Sequence, residues 1–469
     1  MSKSDKKDEQ DQRDLLARKY SDRELIKRLV HYLYPYRHIF GLALIAMFIG
    51  TLLDILQPII LKIAIDDYII PGDVDGLAIA AILYFVLALI SFLLTVISSY
   101  YTTVKGLDIV TEIRKDTFYK LQELDMEYYH KEATGRIISR VTSDTERLID
   151  LLSTGIIDAF VNTIFLFILF IILFLLNRTL ALTVLLFFPF LAAFVIFLRI
   201  KTRNAWQKTR KTLAKVTGSY QETISGIKVS KAFVAEDFLT KEFEELNLEN
   251  YEARVKALLL FAIMFPTMDI LIACATALVL TVGGISVGQE TMTVGTLVAF
   301  LAYLGRISRP IFLLSNFYNT FLASMASTER IFDILDRESA VVPWDSEKPT
   351  NVEGGIQFRK VCFSYEVEGK PVLSKVDFMI PPKSTVALVG HTGAGKTTIT
   401  NLLCRFYDFN EGEILLDGKD IRYFDIQEYR NWFSVIPQDS FLFSGTIREN
   451  LLYGNPNVTE EKIERILLR

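Results

Sequence analysis

The stretch TVALVGHTGAGKTTITNLL, residues 385–403, decides the fold of the C-terminal part of the chain. Its first five residues are mostly apolar and β-branched, and they predict a buried strand at 385–389. A glycine-rich segment follows, and then Ile399, Leu402 and Leu403 stand at helical spacing. A strand, a glycine-rich loop and a helix in this order predict a P-loop that binds the phosphates of a nucleotide.

The residue types of this loop fit phosphate chemistry. Gly393 and Gly395 let the backbone curl so that several N–H groups point at phosphate oxygens. Lys396 would neutralise the β- and γ-phosphates, and the Thr397 hydroxyl is the expected ligand of Mg²⁺. The predicted nucleotide-binding residues of the loop are Gly390, His391, Thr392, Gly393, Ala394, Gly395, Lys396, Thr397 and Thr398.

The composition of the whole chain indicates a membrane protein. Of 469 residues, 51% are hydrophobic, 12% are aromatic and only 23% are charged, which excludes a disordered or coiled-coil architecture. A net charge of −4 without a basic patch argues against nucleic acid as a partner. Three scattered cysteines are too few for a disulfide framework or a metal cluster.

Six stretches are long and apolar enough to cross a bilayer, for which about 20 residues are needed. The second-to-third and fourth-to-fifth connections are long and rich in Lys and Arg, whereas the other connections are short and carry almost none. The positive-inside rule therefore places both termini and the nucleotide-binding domain in the cytosol, in a multi-pass protein of the cell membrane. The predicted spans are 39–65, 77–100, 151–176, 180–200, 258–282 and 294–317.

The two long connections have the pattern of helices that leave the membrane, break and return. The first breaks around 132–135 and the second at Ser225 and Gly226. Two charged residues inside the predicted spans, Asp269 and Arg306, could line a translocation path or pair within the helix bundle.

Composition divides the chain into four parts. A polar cytosolic tail, 1–21, precedes a membrane domain, 22–335, whose first residues form a basic amphipathic segment that could lie in the membrane interface or be a surface helix. A linker, 336–354, leads to the nucleotide-binding domain, 355–469, with its first strand at 356–363. The predicted fold class is an α-helical membrane domain, with six transmembrane helices and long cytosolic extensions, followed by an α/β P-loop nucleotide-binding domain.

Further motifs make the chain resemble one half of an ABC exporter, the family that includes bacterial multidrug and lipid-flipping transporters. Tyr365 matches the aromatic residue that stacks on adenine, and Gln438 matches the Q-loop glutamine that senses the γ-phosphate and Mg²⁺. The sequence TGRIISR at 134–140 and the Ser225–Gly226 break resemble the two coupling regions, which dock on ATPase domains. The resemblance implies ATP and Mg²⁺ as cofactors, with Thr397 and Gln438 at the metal.

The family's hydrolytic elements are not found in the sequence after Gln438. They are an Asp-bearing strand, an adjacent catalytic Glu, a switch His and a signature motif. The run at 414–417 imitates the strand, but Gly418 stands where the Glu should be, and Asp417 is interpreted as a turn residue. No catalytic residue is therefore predicted beyond Lys396 and Gln438. The resemblance therefore implies a C-terminally truncated half with an incomplete α/β P-loop ATPase domain, and we expect this domain to expose apolar sheet edges and not to hydrolyse ATP alone.

The function that the resemblance implies is ATP-driven export or flipping of a hydrophobic or amphipathic substrate across the cytoplasmic membrane. The expected partners are the lipid bilayer, a small hydrophobic or lipid-like substrate, and a second half-transporter, identical or different. The alternative is a non-hydrolysing, nucleotide-binding membrane regulator or a truncated subunit.

Overall fold

A computed structural model describes residues 20–339, 341, 348, 351–365, 369–438, 441–455 and 458–467 of the chain. The chain divides into two compact units. The first, called the membrane unit, contains residues up to Tyr119 and Ile138–Leu335. The second, called the nucleotide unit, contains Lys120–Ile137 and Asp336–Arg469. The tip of the first predicted cytosolic hairpin thus groups with the C-terminal residues.

The first twelve helices, in chain order, run from the N-terminal amphipathic segment to the linker. They are α1 (Asp22–Leu33), α2 (Arg37–Ile63), α3 (Val74–Glu123), α4 (Met126–Lys131), α5 (Thr134–Ser139), α6 (Thr145–Asp150), α7 (Ile156–Leu176), α8 (Arg178–Ser225), α9 (Ile227–Ala232), α10 (Glu236–Gly288), α11 (Val294–Arg306) and α12 (Ser308–Leu335). Short π-helical turns join several of them, at Ala64–Ile69, Arg140–Asp144 and Leu151–Gly155.

Five helical segments of the described chain are long and apolar enough to cross a membrane. They contain the predicted spans 39–65, 77–100, 151–176, 258–282 and 294–317. The remaining predicted span, 180–200, lies on α8, where several side chains between 187 and 199 are outside the described residues. An α-helical membrane region is therefore confirmed, and six as the number of spans stays a prediction.

Helix α1 packs its apolar stripe inside the protein. Ser21 caps the helix by accepting a hydrogen bond from the Glu24 backbone N–H at 3.3 Å. Leu25 and Leu29 are buried in a cluster that includes Ile109 on α3. The amphipathic pattern at 22–37 thus marks a helix that packs on its neighbours.

The two predicted hairpin breaks are confirmed. Helix α4 ends before Glu132, and α5 begins at Thr134. In the second hairpin α8 ends at Ser225, and the short helix α9 follows Gly226. An additional break at Leu124 and Asp125, which the sequence pattern did not predict, separates α3 from α4, and the Asp125 side chain caps α4 by accepting from the Tyr128 N–H.

Arg306 belongs to a polar network between helices. Its guanidinium donates to the Asp54 carbonyl and, at 2.7 Å, to the Gln57 side chain. The Asp54 carboxylate accepts from Gln57 and from Ser91 on α3, at 3.0 and 2.8 Å. The sequence left open whether Arg306 lines a translocation path or pairs within the helix bundle, and these contacts show that it pairs within the bundle. Asp269 is exposed on α10.

The nucleotide unit is built on a four-stranded antiparallel sheet in the order β2-β1-β3-β4. Phe358 at its centre pairs with Phe378 on one side and Ile414 on the other, and its ring stacks on Phe378. The unit contains β1 (Ile356–Phe363), β2 (Leu373–Ile380), α13 (Lys396–Leu403), β3 (Glu411–Leu416), β4 (Lys419–Asp420), α14 (Ile426–Arg430), α15 (Ile447–Leu452) and α16 (Glu460–Leu467).

The prediction of a strand at 385–389 is wrong, whereas the predicted strand at 356–363 is confirmed. Residues 385–389 are extended chain without a β-ladder, and no strand within the described residues flanks them. The apolar side chains of this segment are consequently exposed, and Val389 is 89% exposed. In the segment before Gln438, Ile436 is likewise 94% exposed.

Asp417 is a turn residue, as predicted. Asp417 and Gly418 have positive φ angles of 49° and 85° and connect β3 to β4, as a two-residue hairpin requires. The Asp417 carboxylate accepts hydrogen bonds from the backbone N–H groups of Glu353, Gly354 and Gly355, at 2.7 to 3.3 Å. These contacts fix the entry into β1 and leave Asp417 with a structural role.

Candidate nucleotide-binding site

The glycine-rich loop between 389 and Lys396 has the left-handed backbone that its sequence predicts. Gly393 and Gly395 have φ angles of 84° and 85°, which side-chain-bearing residues adopt at a cost. A Cβ atom on Gly395 would stand 2.7 Å from the Leu373 side chain, whereas one on Gly393 would meet no atom within 4 Å. Gly395 is therefore needed for packing as well as conformation, and Gly393 leaves open space inside the curl.

Helix α13 begins directly at the loop and presents an uncapped N-terminus. Gly395 occupies the N-cap position and supplies no side-chain acceptor, so the first N–H groups of the helix have no side-chain cap. An uncapped helix start beside open glycine backbone is the arrangement that binds a phosphate group. The donor set of this chain therefore fits the triphosphate of ATP.

Lys396 lies across the loop. Its ammonium donates to the carbonyl oxygens of Gly390 and His391, at 2.9 and 2.8 Å. These two acceptors hold the cation next to the loop's N–H groups, where a phosphate would meet it. The side chain is half-buried, so it can exchange these carbonyl partners for phosphate oxygens without leaving a buried charge unpaired.

The residues after Lys396 divide between solvent and interior. Thr397 is exposed on the first turn of α13, free of the core, as a ligand to Mg²⁺ would need. Thr398 is buried, and its hydroxyl lies 3.2 Å from the Tyr365 hydroxyl. This hydrogen bond ties the predicted adenine platform to the P-loop helix.

The end of α13 is anchored by buried arginine and tyrosine side chains. Arg405 is 0% exposed and donates to the Asp408 carboxylate at 3.0 Å and to two carbonyls, of Ile421 and Phe424, at 3.3 Å. The Tyr429 hydroxyl donates to the Leu403 carbonyl at 2.6 Å, which satisfies an orphan carbonyl of the last turn. Sequence reasoning missed this anchor, although an arginine among apolar residues at a helix end is a usable signal.

Gln438 is exposed in an extended segment. No hydrogen bond joins its side chain to the P-loop within the described part of the chain. The structure thus brings Tyr365, Lys396, Thr397 and Thr398 together on one strand end and one helix, and it does not bring Gln438 to them.

The hairpin tip in the nucleotide unit contacts the region around Tyr365. The Arg337 guanidinium lies 4.9 Å from the centre of the Tyr128 ring, and the Ser339 hydroxyl is 3.5 Å from the Asp125 carboxylate. The His130 ring stacks on Tyr365, with 5.9 Å between ring centres and 12° between ring planes. Sequence reasoning missed His130 because no local pattern links it to a strand far along the chain.

The fold and the loop define the class of protein: a multi-helix membrane region is followed, on the same chain, by a P-loop nucleotide-binding unit. Residues 40–311 match the family profile of the ABC transporter transmembrane region, and residues 373–469 match the ABC transporter profile. The chain belongs to the ABC transporter family.

Several relatives match nearly the whole of this chain. An uncharacterized ABC transporter ATP-binding protein, YknV of Bacillus subtilis, is 34% identical over 443 residues, which are 93% of this chain and 72% of that protein. An ATP-dependent lipid A-core flippase of Desulfotalea psychrophila is 31% identical, covering 95% of this chain and 78% of the flippase. A putative multidrug export ATP-binding/permease protein of Staphylococcus aureus is also 31% identical, with coverages of 94% and 78%.

Proposed function

We propose that the chain is one half of an ATP-driven exporter that moves a hydrophobic or amphipathic substrate across, or between the leaflets of, the cytoplasmic membrane. The observation that carries the proposal is the P-loop: left-handed glycines, an uncapped helix start and an ammonium held at the loop, on a chain with a multi-helix membrane region. The names of two relatives, a lipid A-core flippase and a putative multidrug export protein, support the substrate class.

The bound nucleotide would be MgATP. Residues Gly390–Gly395 and the first turn of α13 would surround the phosphates, and Lys396 would neutralise charge on the β- and γ-phosphates. The Thr397 hydroxyl would bind Mg²⁺, and Gln438 would reach the metal after a movement of its extended segment. Tyr365 would stack on the adenine ring.

A second half-transporter would pair with this chain to form the complete exporter. The tip of the second hairpin supports this partner: Phe233 and Val234 follow α9, are highly exposed, and Val234 has a φ angle of 52°. Two apolar side chains at the end of a charged helical hairpin suit a docking contact with the ATPase domain of a partner half, identical or different. The charge of the long connections supports a cytosolic location for both hairpins, both termini and the nucleotide unit.

Nucleotide binding tests the proposal directly. Photolabelling with an azido-ATP analogue, or titration of ATP with Mg²⁺, would be measured on the full chain in lipid nanodiscs. Lys396→Ala should weaken binding by about tenfold to a hundredfold, because a charge-assisted hydrogen bond contributes about 1.5–3 kcal/mol. Lys462→Ala, an exposed lysine on α16, is the matched control and should bind as the unmodified chain does. Equal binding by both variants would refute the site.

Substrate transport requires a separate measurement. The chain would be reconstituted with its partner half, and ATPase activity would be followed across a panel of amphipathic drugs and lipids. Stimulation by one class identifies the cargo, and vesicle assays of drug uptake or lipid flipping then follow that class. ATP binding without stimulation by any member, and without transport, would favour the non-hydrolysing regulator.

A further inference from the structure

The hairpin helix α4 is held against the strand end that carries Tyr365. Its contacts include a cation–π pair between Arg337 and Tyr128 and a polar contact between Ser339 and Asp125. Burial raises the pKa of Tyr407, and the nearby carboxylates of Glu127 and Asp125 contribute to the rise. All these groups belong to the nucleotide unit, so α4 is a structural member of it.

Tyr365 is held in one orientation by its neighbours. Phe363 and Tyr407 are both buried and meet the ring edge-on, at 81° and 90°, with centres 4.9 and 5.1 Å away. The hydroxyl is tied to Thr398. These contacts fix the ring, which is half-buried and keeps part of its surface in contact with solvent.

His130 lies against one face of the Tyr365 ring. It is exposed, and its ring is nearly parallel to Tyr365, at 12°. Within the described residues it is the ring that stacks in parallel on Tyr365, and parallel stacking is also how an adenine would use the platform. An adenine that stacks on this face would have to take the place of the imidazole.

We propose that His130 covers a stacking face of Tyr365, competes with the adenine of ATP for it, and is displaced when the adenine binds. The inference rests on the proposed function, because it assigns the base to Tyr365. The exchange of one stacked ring for another makes base binding compete with the contact between His130 and Tyr365. Base occupancy is thereby coupled to the position of α4, with no bond made or broken.

The test compares two ligands on the full chain in nanodiscs, ATP and inorganic tripolyphosphate, which carries phosphates without a base. His130→Ala should tighten ATP binding by about two- to tenfold, the loss of one competing aromatic contact, and leave tripolyphosphate binding unchanged. His130→Phe keeps a stacking ring and should bind ATP no more tightly than the unmodified chain. Lys131→Ala, which removes a surface pair with Glu127 on the same helix, is the control and should not alter ATP binding.

A double variant assigns the effect to the platform. In the Tyr365→Ala background, His130→Ala should no longer change ATP affinity. Unchanged or weaker ATP binding by His130→Ala alone, or an equal gain for tripolyphosphate, would overturn the competition. Loss of the proposed function gives a different pattern, because neither ligand would then bind the unmodified chain.

Discussion

Arg405→Ala should loosen the nucleotide unit more than the removal of any exposed ion pair on it. The guanidinium is fully buried and satisfies the Asp408 carboxylate and the carbonyls of Ile421 and Phe424. Alanine would leave these acceptors without their donor and open a cavity next to the last turn of α13. The variant therefore tests how strongly this side chain contributes to the anchoring of the end of the P-loop helix.

The expected cost follows from the burial of the pair. Removal of one partner from a buried ion pair costs about 3–5 kcal/mol, and Asp408 is 25% exposed, so the lower end applies. The matched control is Arg359→Ala, whose pair with Glu413 has side chains 52% and 51% exposed. An exposed pair contributes about 0–1 kcal/mol. The two variants should thus differ by about 2 kcal/mol or more.

Cys404, the neighbour of Arg405, supplies the assay. Its side chain is buried, so a thiol reagent reaches it only after local opening of the unit. In a Cys274→Ser, Cys362→Ser background the labelling rate reports the opening free energy, at tenfold per 1.4 kcal/mol. Arg405→Ala should accelerate labelling by more than about a hundredfold and Arg359→Ala by less than about fivefold. Similar rates for the two variants would refute the anchoring role.

Three further perturbations have defined outcomes. Thr397→Ala should remove the dependence of ATP affinity on Mg²⁺, and Thr397→Ser should retain it, as measured by titration with and without the metal. Asp417→Asn should leave MgATP affinity within about twofold, because the side chain binds backbone N–H groups; a loss of Mg²⁺ dependence would contradict this. Alkaline pH should destabilise the nucleotide unit, because burial raises the pKa values of both Cys404 and Tyr429. The pKa of the thiol is 9.0 in the unfolded chain and higher in the folded unit, so its contribution to stability is present below pH 9.0 and is lost as the pH rises further. Urea midpoints that stay constant between pH 8 and 10.5 would contradict this.

The elements that local patterns specify were predictable from the sequence. The glycine spacing of 390–396 predicted the loop, and its positive φ angles followed from the residue type. The break at Gly226 and the turn at Asp417 and Gly418 are likewise local, because glycine and aspartate tolerate the backbone that such sites need. These features depend on neighbouring residues alone, so they can be predicted from one sequence.

Features that depend on distant partners were not predictable. The apolar run at 385–389 has the composition of a strand, but a strand also needs a neighbour to bond with, and the described chain provides none. The stack of His130 on Tyr365 and the contacts of Arg405 with Ile421 and Phe424 join residues whose proximity only the fold determines. Periodicity carries no information about such pairs.

The chain connects the helix that carries His130 to the long helix α3. Helix α3 runs without interruption from Val74 to Glu123, a length of about 75 Å at the helical rise. The chain then forms α4 in the nucleotide unit and re-enters the membrane unit at Ile138. The position that changes in our proposal, α4, thus follows the end of this long helix after two residues. The helix breaks at Leu124 and Asp125, the two residues before α4, so the coupling that we propose would act next to this break, through the ring contact of His130.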